Sequence, residues 1–396
     1  MELSFRWYGP EDSVRLSDVR QSNAKFVVTS LHQIPSGERW PDFEIKKRIN
    51  YIDKQNLKTN IHLKWNVVES IPVHNNIKLR DKNYKKLINN YKDTISNIAK
   101  NKIKTICYNF MPIVDWTRTQ LDYKLPTDGL ALRFNFLQMI IFEKFILKLK
   151  DIDNRYSVDQ VNKAKKLYKI MKTKDIQNLK IAVMGGLPAA EKKYSVDSFK
   201  KMLQAYKNVK DKDLKENLKD FLREIIPIAE DHNVKMALHP DDPPIRLFGV
   251  PRVVSKLDDY KYILESYESP SNGMTFCAGS LASNKKNNVY KIFNKFKEKI
   301  NFIHLRNIKM EKDNKSFYES NHLSGDINFV EIIKMIIKEE KRRSINKNKK
   351  VNIPMRPDHG HCLLDDQNKK SINPGYTTIG RMMGLSELRG IIKAIK

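Results

Sequence analysis

The chain has 396 residues, of which 40% are hydrophobic, so it can bury a large core in two or three domains or in one large α/β barrel. Nowhere do eighteen apolar residues run together, and the first thirty residues hold no continuous apolar stretch, which argues against a membrane span and a secretory signal. Three widely spaced cysteines, Cys107, Cys277 and Cys362, fit free thiols better than a disulfide framework, and we expect a cytoplasmic protein.

The net charge of +28 raises the question of a nucleic-acid partner. The lysines are spread through helical stretches and mixed with asparagines, rather than gathered into one stripe with interleaved aromatic residues. A solvated basic surface is the simpler interpretation, and we expect no nucleic-acid partner.

Eight short runs rich in β-branched and aromatic residues predict strands, at residues 3–9, 26–31, 65–70, 103–110, 235–240, 274–280, 301–306 and 352–358. Helical patterns lie near residues 17–23, 42–56, 83–100, 213–232, 256–267, 287–299, 328–343 and 384–395. No glycine-rich dinucleotide fingerprint follows any of these strands. The alternation therefore favours a (β/α)8 TIM barrel over an open doubly wound sheet.

One long segment, residues 117–210, contains no clear barrel strand. Its helical patterns, such as "FNFLQMIIFEKFILKLK", predict a helical insertion near one barrel mouth, within a single catalytic domain spanning residues 1–396. Residues 179–188, "LKIAVMGGLP", could alternatively supply a barrel strand and displace the first one.

Potential metal ligands stand at the ends of four consecutive predicted strands: His239, Cys277, His304 and Asp358. Each alone is more often structural, a hydrogen-bonded histidine or a small buried thiol. The carboxyl ends of all barrel strands meet at one mouth, however, so the four can surround one point. Two imidazoles, a thiolate and a carboxylate suit Mn, Fe(II), Co or Zn better than Mg.

Several longer motifs make the chain resemble the mannonate dehydratases of bacterial hexuronate catabolism. They are "RWYGP" (6–10), "CYNFMPIVDWTRT" (107–119), "HPDDPP" (239–244), "PRVVS" (251–255), "HLSGD" (322–326), "RPDHGH" (356–361) and "NPGYTTIGR" (373–381). The resemblance runs almost end to end. It implies a xylose-isomerase-like TIM barrel that dehydrates D-mannonate to 2-dehydro-3-deoxy-D-gluconate in glucuronate degradation, with Mn2+ or Fe2+, as a homodimer.

The resemblance also implies roles for single residues. The metal ligands of the family fall on His239, Cys277, His304 and Asp358, the same four that the strand ends select, and its acid/base pair falls on His359 and Tyr376. In such a reaction one group takes the C2 proton and another protonates the departing C3 hydroxyl. An imidazole and a phenol are suitable partners, and the sequence leaves open which is the base. We expect His361 to orient Asp358 or His359 through hydrogen bonds.

Candidate substrate-binding residues follow from the needs of a polyhydroxy acid and from position: Arg306, Glu69, Asn109, Asp115, Arg118, His322 and Asp326. Each could equally serve a structural salt bridge or cap. The loop "AGSLASNKKNN" after Cys277 lacks an arginine and an acidic residue expected from the family, which leaves its substrate contacts open. Two alternative functions remain: another metal-dependent barrel enzyme acting on a related aldonate or sugar, and a basic nucleic-acid-binding barrel.

Overall fold

Eight parallel strands close into a barrel in the computed structural model, which describes residues 1–57, 59–185 and 195–396. In chain order the described strands are β1 (Glu2–Arg6), β2 (Phe26–Thr29), β3 (Lys64–Glu69), β4 (Thr105–Tyr108), β5 (Gln120–Lys124), β6 (Leu130–Phe134), β7 (Lys235–Leu238), β8 (Met274–Cys277), β9 (Ile300–His304), β10 (Ile308–Met310), β11 (Phe317–Glu319) and β12 (Pro354–Arg356). The order around the barrel is β1-β12-β9-β8-β7-β4-β3-β2. All eight predicted strands are barrel strands, so the TIM-barrel prediction is confirmed.

Helices connect the barrel strands and cover their outer side. Those in the described residues are α1 (Leu16–Gln21), α2 (Asp42–Asn56), α3 (Asn75–Leu79), α4 (Tyr84–Lys100), α5 (Phe136–Ile141), α6 (Ile152–Arg155), α7 (Val158–Ile170), α8 (Thr173–Met184), α9 (Val196–Ala205), α10 (Asp211–Asp231), α11 (Leu257–Glu265), α12 (Ala278–Ala282), α13 (Val289–Phe296), α14 (Phe329–Asn346) and α15 (Thr378–Ile395). A π-helical turn, Phe142–Ile146, continues α5.

Hydrophobic side chains fill both sides of the barrel wall. Inside, one small cluster contains Val28, Val67, Cys107, Ala237 and Phe302, one from each of five strands. The other side of each strand packs against helices, because apolar residues recur at helical spacing on one face of each helix, as at positions 88, 91, 95 and 98 of α4. Because apolar side chains fill the barrel interior, a site can form only at the strand ends, where the residues are polar.

The insertion between β4 and β7 carries helices α5 to α9, as expected, and also a hairpin that we had not predicted. Its strands, β5 and β6, join β10 and β11 in a second, antiparallel sheet of order β10-β11-β6-β5. The turn sequence "PTDG" at residues 126–129, with Asp128 at a positive φ of 60°, connects β5 and β6. The end of the barrel at which the carboxyl ends of its strands meet is called the barrel mouth. The second sheet places β11 beside this mouth.

The alternative prediction of a barrel strand at residues 179–188 is wrong for the residues of this range that the structure describes. Residues up to Met184 belong to α8, because Leu179, Ala182 and Val183 have the spacing of one buried helix face rather than of a strand. Residues 186–188 lie outside the described residues.

None of the helices in the described ranges combines the length and apolar character needed to cross a bilayer.

Candidate active site

The four strand-end residues come together at the barrel mouth. His239 follows β7, Cys277 ends β8, His304 ends β9, and Asp358 lies two residues beyond β12. The ligand atoms of His239, Cys277 and His304 all lie within 4.8 Å of one another. Asp358 closes the group, with its carboxylate oxygens 3.6 Å from the Cys277 Sγ and 4.0 Å from the His304 Nδ1. The convergence expected from the sequence is therefore present.

The two histidines share a hydrogen bond. The Nδ1–H of His239 donates to the Pro240 carbonyl at 2.7 Å, which leaves Nε2 as the acceptor nitrogen. The His304 Nδ1 lies 3.2 Å from this nitrogen and donates to it, while the His304 Nε2 lies 3.5 Å from the Glu69 carboxylate. Burial lowers the pKa of both imidazoles and favours their neutral forms. Two ring nitrogens at this distance fit ligands of one cation, which would take the place of the shared hydrogen.

The other two donors would supply negative charge to a bound metal, which displaces the thiol proton of Cys277. Burial raises the pKa of the Cys277 thiol to about 12, against the influence of Arg306, and the Ser280 hydroxyl donates to Sγ at 3.0 Å. Burial also acts to raise the pKa of Asp358, but Arg356, which donates to this carboxylate, holds it well below its ordinary value. One thiolate and one carboxylate would neutralise a divalent ion. The donor set therefore fits a metal of intermediate softness.

His359 and Tyr376 form a hydrogen-bonded pair beside these donors. Both Glu319 oxygens lie 2.8 to 2.9 Å from the His359 Nδ1, which must carry the proton, and the Tyr376 hydroxyl donates to Nε2 at 2.9 Å. Burial raises the pKa of Tyr376 well above its ordinary value, so the phenol stays protonated. The pair thus places an imidazole nitrogen and a phenolic hydroxyl side by side, joined by one hydrogen bond.

Buried arginines alternate with carboxylates around this pair. Arg118 bonds to Asp242 at 2.8 Å and to Glu319 at 2.7 Å, and Arg306 bonds to the same Asp242 at 2.8 Å. Despite its burial, Glu319 has a pKa of about 2, because His359 and these two arginines stabilise its charge. The arrangement fixes the carboxylate that in turn holds His359.

On the other side of the site, Arg356 bridges two carboxylates. It bonds to both oxygens of Glu69, at 2.7 and 2.9 Å, and to Asp358. Burial acts to raise the pKa of Glu69, but Arg356 and His304 lower it to about 2. Glu69 therefore supports the His304 and Arg356 side chains from within the barrel.

Sequence reasoning missed four residues of this site: Asp242, Ser280, Glu319 and Arg356. Asp242 and Arg356 stand inside motifs that the sequence analysis quoted, "HPDDPP" and "RPDHGH", and a search for arginine–carboxylate partners of the ligands could have found them. Glu319 carries no such signal, because it ends a three-residue strand of the second sheet.

The predicted substrate-binding residues fall into two groups. Arg306 and Arg118 are buried at the site, Glu69 is half-buried there, and Asn109 is buried directly after β4. Asp115 is partly exposed, with an oxygen 3.9 Å from the Lys78 Nζ.

The other candidates bind backbone or solvent-exposed partners. The Nε2–H of His322 donates to the Pro357 carbonyl at 2.8 Å, and the exposed Asp326 pairs with Lys309 at 2.9 Å. His361 donates to the backbone carbonyl of Glu319 at 2.8 Å. His322 and His361 thus brace the backbone of the site, while Asp326 is not brought to it.

Comparison with known proteins gives one consistent family. The chain matches the profile of the family described as D-mannonate dehydratase (UxuA) over residues 1–396. It is 44% identical to a mannonate dehydratase of Marinomonas sp. (strain MWYL1) over 396 residues, which is the whole chain and 99% of that protein. It is 42% identical to the mannonate dehydratase of Saccharophagus degradans, covering the whole chain and 98% of that protein.

Solved structures agree. The crystal structure of mannonate dehydratase from Streptococcus suis serotype 2 superposes with a TM-score of 0.77 at 31% identity, covering the whole chain and 95% of that structure. A D-tagatose 3-epimerase-like protein has a TM-score of 0.50 at 10% identity, covering the whole chain and 98% of that structure, a likeness of fold alone.

Proposed function

The chain belongs to the D-mannonate dehydratase family of hydro-lyases, and we propose that its barrel mouth dehydrates D-mannonate to 2-dehydro-3-deoxy-D-gluconate and water. The observation that carries this proposal is the His359–Tyr376 pair, 2.9 Å apart, next to a cluster of three possible metal donors that Asp358 closes. A base, an acid and a cation are the three groups that this dehydration requires.

His239, Cys277, His304 and Asp358 would hold the metal, which we propose to be Mn2+ or Fe2+. These residues would thereby supply a Lewis acid for the negative charge that develops on the substrate carboxylate as C2 loses its proton. The mixed donors support these ions over Mg2+, which prefers oxygen ligands. The neutral imidazoles and the ionised Asp358 are already in the protonation states that metal binding needs.

The protons would move through His359 and Tyr376. With Nδ1–H held by Glu319, the Nε2 of His359 would take the proton from C2 once the Tyr376 hydroxyl turns from it to the substrate. The C2–H electron pair would first be delocalised into the carboxylate and would then form the C2–C3 double bond. The C3–O bond breaks as Tyr376 delivers its proton, so the hydroxyl departs as water. The remaining enol tautomerises to the 2-keto acid. The contacts support this assignment of base and acid, which the sequence left open.

The surroundings exclude water from these steps. His359 is 3% exposed and Tyr376 is also 3% exposed, and the ring of Trp116 packs edge-on against the imidazole at 5.8 Å between centroids. Hydrogen bonds and ion pairs that stabilise developing charge act more strongly in such an environment. Arg306, Arg118 and Glu69 would act within this shell on the substrate or on the groups that contact it, together with Asn109 and Asp115.

Three further expectations remain predictions from the sequence and the family: a homodimer, a place in the cytoplasm in glucuronate degradation, and no nucleic-acid partner. Light scattering on the purified protein tests the first, and the salt dependence of any nucleic-acid binding tests the last.

Product analysis tests the proposed function. The purified protein is incubated without oxygen with Mn2+ and each of several aldonates and sugars, and a 2-keto-3-deoxy acid is measured. We expect that product from D-mannonate, and none after the metal is removed by chelation. Turnover of a different aldonate alone, or an isomerised sugar, would instead support the alternative of another metal-dependent barrel enzyme.

A further inference from the structure

Arg6 lies inside the barrel mouth, close to the proposed catalytic tyrosine. It ends β1 in register with Val28 of β2, whose side chain belongs to the interior cluster, so Arg6 faces inward. Tyr8 follows on the same face and packs edge-on against Tyr376, with 5.0 Å between ring centroids. The Arg6 guanidinium lies over the Tyr8 ring, 4.7 Å from its centroid. Arg6 is therefore adjacent to the place where the substrate reacts.

The guanidinium of Arg6 has a free donor. Arg6 is 5% exposed, and its Nη1 has no hydrogen-bond partner in the part of the chain that the structure describes. Its Nη2 lies 3.4 Å from the His32 Nε2. Among the described residues Arg6 forms no salt bridge, whereas Arg118, Arg306 and Arg356 each pair with carboxylates. Glu69 feels the charge of Arg6, but both of its oxygens already bond to Arg356.

A buried guanidinium without a counter-ion points to a ligand. Arginine cannot lose its proton in a protein, and burial of an unpaired charge is unfavourable. His32 adds no second charge, because burial and the nearby Arg6 and Arg48 keep its pKa well below the ordinary value. The corner formed by Arg6, Tyr8 and His32 thus has one positive charge, one free N–H donor and a neutral imidazole, a combination suited to an anion with neighbouring hydroxyl groups.

We propose that Arg6, with His32 beside it, forms the subsite that binds the carboxylate of the polyhydroxy acid substrate. The Nη1–H would donate to one carboxylate oxygen and leave the other free for the metal. Loss of the C2 proton adds negative charge to the same carboxylate, so the guanidinium would bind the reacting state more strongly than the ground state. The identity of the acid rests on the proposed function, whereas the preference for an anion rests on Arg6 alone.

Binding of an acid and of its uncharged analogue tests this subsite. D-mannitol has the carbon chain of D-mannonate with a hydroxymethyl group in place of the carboxylate. Both are titrated calorimetrically into metal-loaded protein that carries His359→Asn to prevent turnover. Arg6→Gln in this background should weaken D-mannonate binding about 10- to 100-fold, the usual worth of a charged hydrogen bond, and D-mannitol binding by less than about 3-fold.

Two further variants keep the test decisive. Arg48→Gln removes a neighbouring buried cation that already bonds to Thr29 and Ser30, and it should leave the ratio of the two affinities unchanged. Arg6→Lys keeps the charge without the planar donor pair, so it should lose part of the D-mannonate affinity, and it serves if Arg6→Gln does not fold. Equal weakening of both ligands, or no weakening of either, would overturn the subsite.

The same measurements separate this proposal from the proposed function. If the parent enzyme binds D-mannonate better than D-mannitol through Arg6 but forms no 2-keto-3-deoxy acid, the proposed function fails and the subsite stands. If the parent forms the product while Arg6→Gln leaves the preference for the acid intact, the subsite fails and the proposed function stands.

Discussion

Neighbouring residues in "RPDHGH" have different tasks because the chain turns sharply between them. Asp358 has a positive φ of 69°, a backbone conformation that aspartate tolerates better than most residues, and its carboxylate points to the metal donors. His359, one residue later, points to Tyr376 and Glu319. Adjacent side chains of one turn thus point to the two places where we propose metal binding and proton transfer.

Cys277 should be the only one of the three cysteines that matters for metal. Cys277→Ser exchanges the proposed thiolate for a hydroxyl, so we expect weaker metal binding and a shift of preference towards harder ions. Cys107→Ser and Cys362→Ser are the matched controls and should keep metal content near that of the parent. Elemental analysis of the three variants measures this, and parental metal content with full activity in Cys277→Ser would remove Cys277 from the site.

Glu319 should act on turnover through His359 rather than on metal binding. Glu319→Gln keeps the shape but removes the charge that holds the His359 Nδ1–H between 2.8 and 2.9 Å, so the imidazole becomes a poorer proton acceptor. Loss of a group that orients a catalytic residue typically costs about 10- to 100-fold, here in kcat. Steady-state kinetics and metal analysis on the same sample check this. An unchanged kcat, or an emptied metal site, would contradict the role.

The site residues differ in how far sequence could predict them. His239, Cys277, His304 and Asp358 follow barrel strands, and strand ends in this architecture must converge, so their grouping follows from order along the chain. Glu319 contacts His359 from a different sheet, and no repeating pattern links β11 to the barrel mouth. His322 and Asp326 stand in a motif that resembles the family, yet their contacts are with a backbone carbonyl and a lysine. Residue type and position in a motif therefore could not tell a residue that stabilises the protein backbone or surface from one that contacts the substrate.

At the scale of elements, the turn before α15 positions Tyr376. Gly375 has a φ of +79°, and a Cβ built on it would lie 2.5 Å from the Leu132 Cδ1 on β6 and 3.4 Å from the His359 Cγ. Tyr376 therefore reaches His359 because a glycine precedes it and because the β6 hairpin packs against that glycine. The unpredicted second sheet supports the site from this side as well as through Glu319.

Gly375→Ala should therefore lower both stability and turnover. The left-handed backbone and the contact with Leu132 should cost about 1 to 3 kcal/mol of unfolding free energy, and displacement of Tyr376 should lower kcat by about 10-fold or more. Gly390→Ala is the matched control: it lies within α15, where a Cβ meets nothing within 4 Å, and it should stabilise by about 0.5 to 1 kcal/mol. Denaturant unfolding and kinetics on both variants decide, and a Gly375→Ala enzyme with parental kcat would show that the turn does not position Tyr376.

The hairpin and the barrel strands were not equally predictable. Barrel strands are buried on both faces, so their apolar runs stand out from the amphipathic helices around them. Strands β5 and β6 are short, and β5 is half-exposed, so their pattern was obscured by the helical stretch that follows. The sheet they form depends on β10 and β11, some 180 residues away, as in the antiparallel pairing of Phe134 on β6 with Phe317 on β11. Strand pairing between residues so far apart in the sequence cannot be recognised from a short stretch of that sequence.

For the whole molecule, the residues that give the chain its high positive charge are mostly not the residues of the candidate site. The basic residues that enter the site are buried arginines paired with carboxylates, apart from Arg6, and the lysines stay mostly on the surface. The protein should thus bind a small anion at the mouth while its overall charge serves solubility.

Buried carboxylates should make the metal-free protein sensitive to acid. Glu69 and Glu319 both have a pKa of about 2 in the fold, below the ordinary value of 4.5. Because the folded value is the lower one, their stabilisation is present above about pH 4.5 and is lost as the pH falls towards about 2, by up to about 3 kcal/mol each. Denaturant unfolding across this range measures the loss. The Glu319→Gln variant should lose less than the parent, and equal losses would show that this carboxylate is not stabilised by folding.

The most direct test of the account separates metal binding from proton transfer at two adjacent residues. Asp358→Asn replaces a charged ligand by a neutral amide and should lose metal, whereas His359→Asn should keep metal and lose turnover by a factor on the order of 10^2 to 10^4. Tyr376→Phe should behave like His359→Asn, and His361 substitution should be milder, about 10- to 100-fold. Metal content and turnover of D-mannonate at saturation are measured together. A His359→Asn protein without metal beside an Asp358→Asn protein that keeps it would contradict the account and place the histidine among the metal ligands.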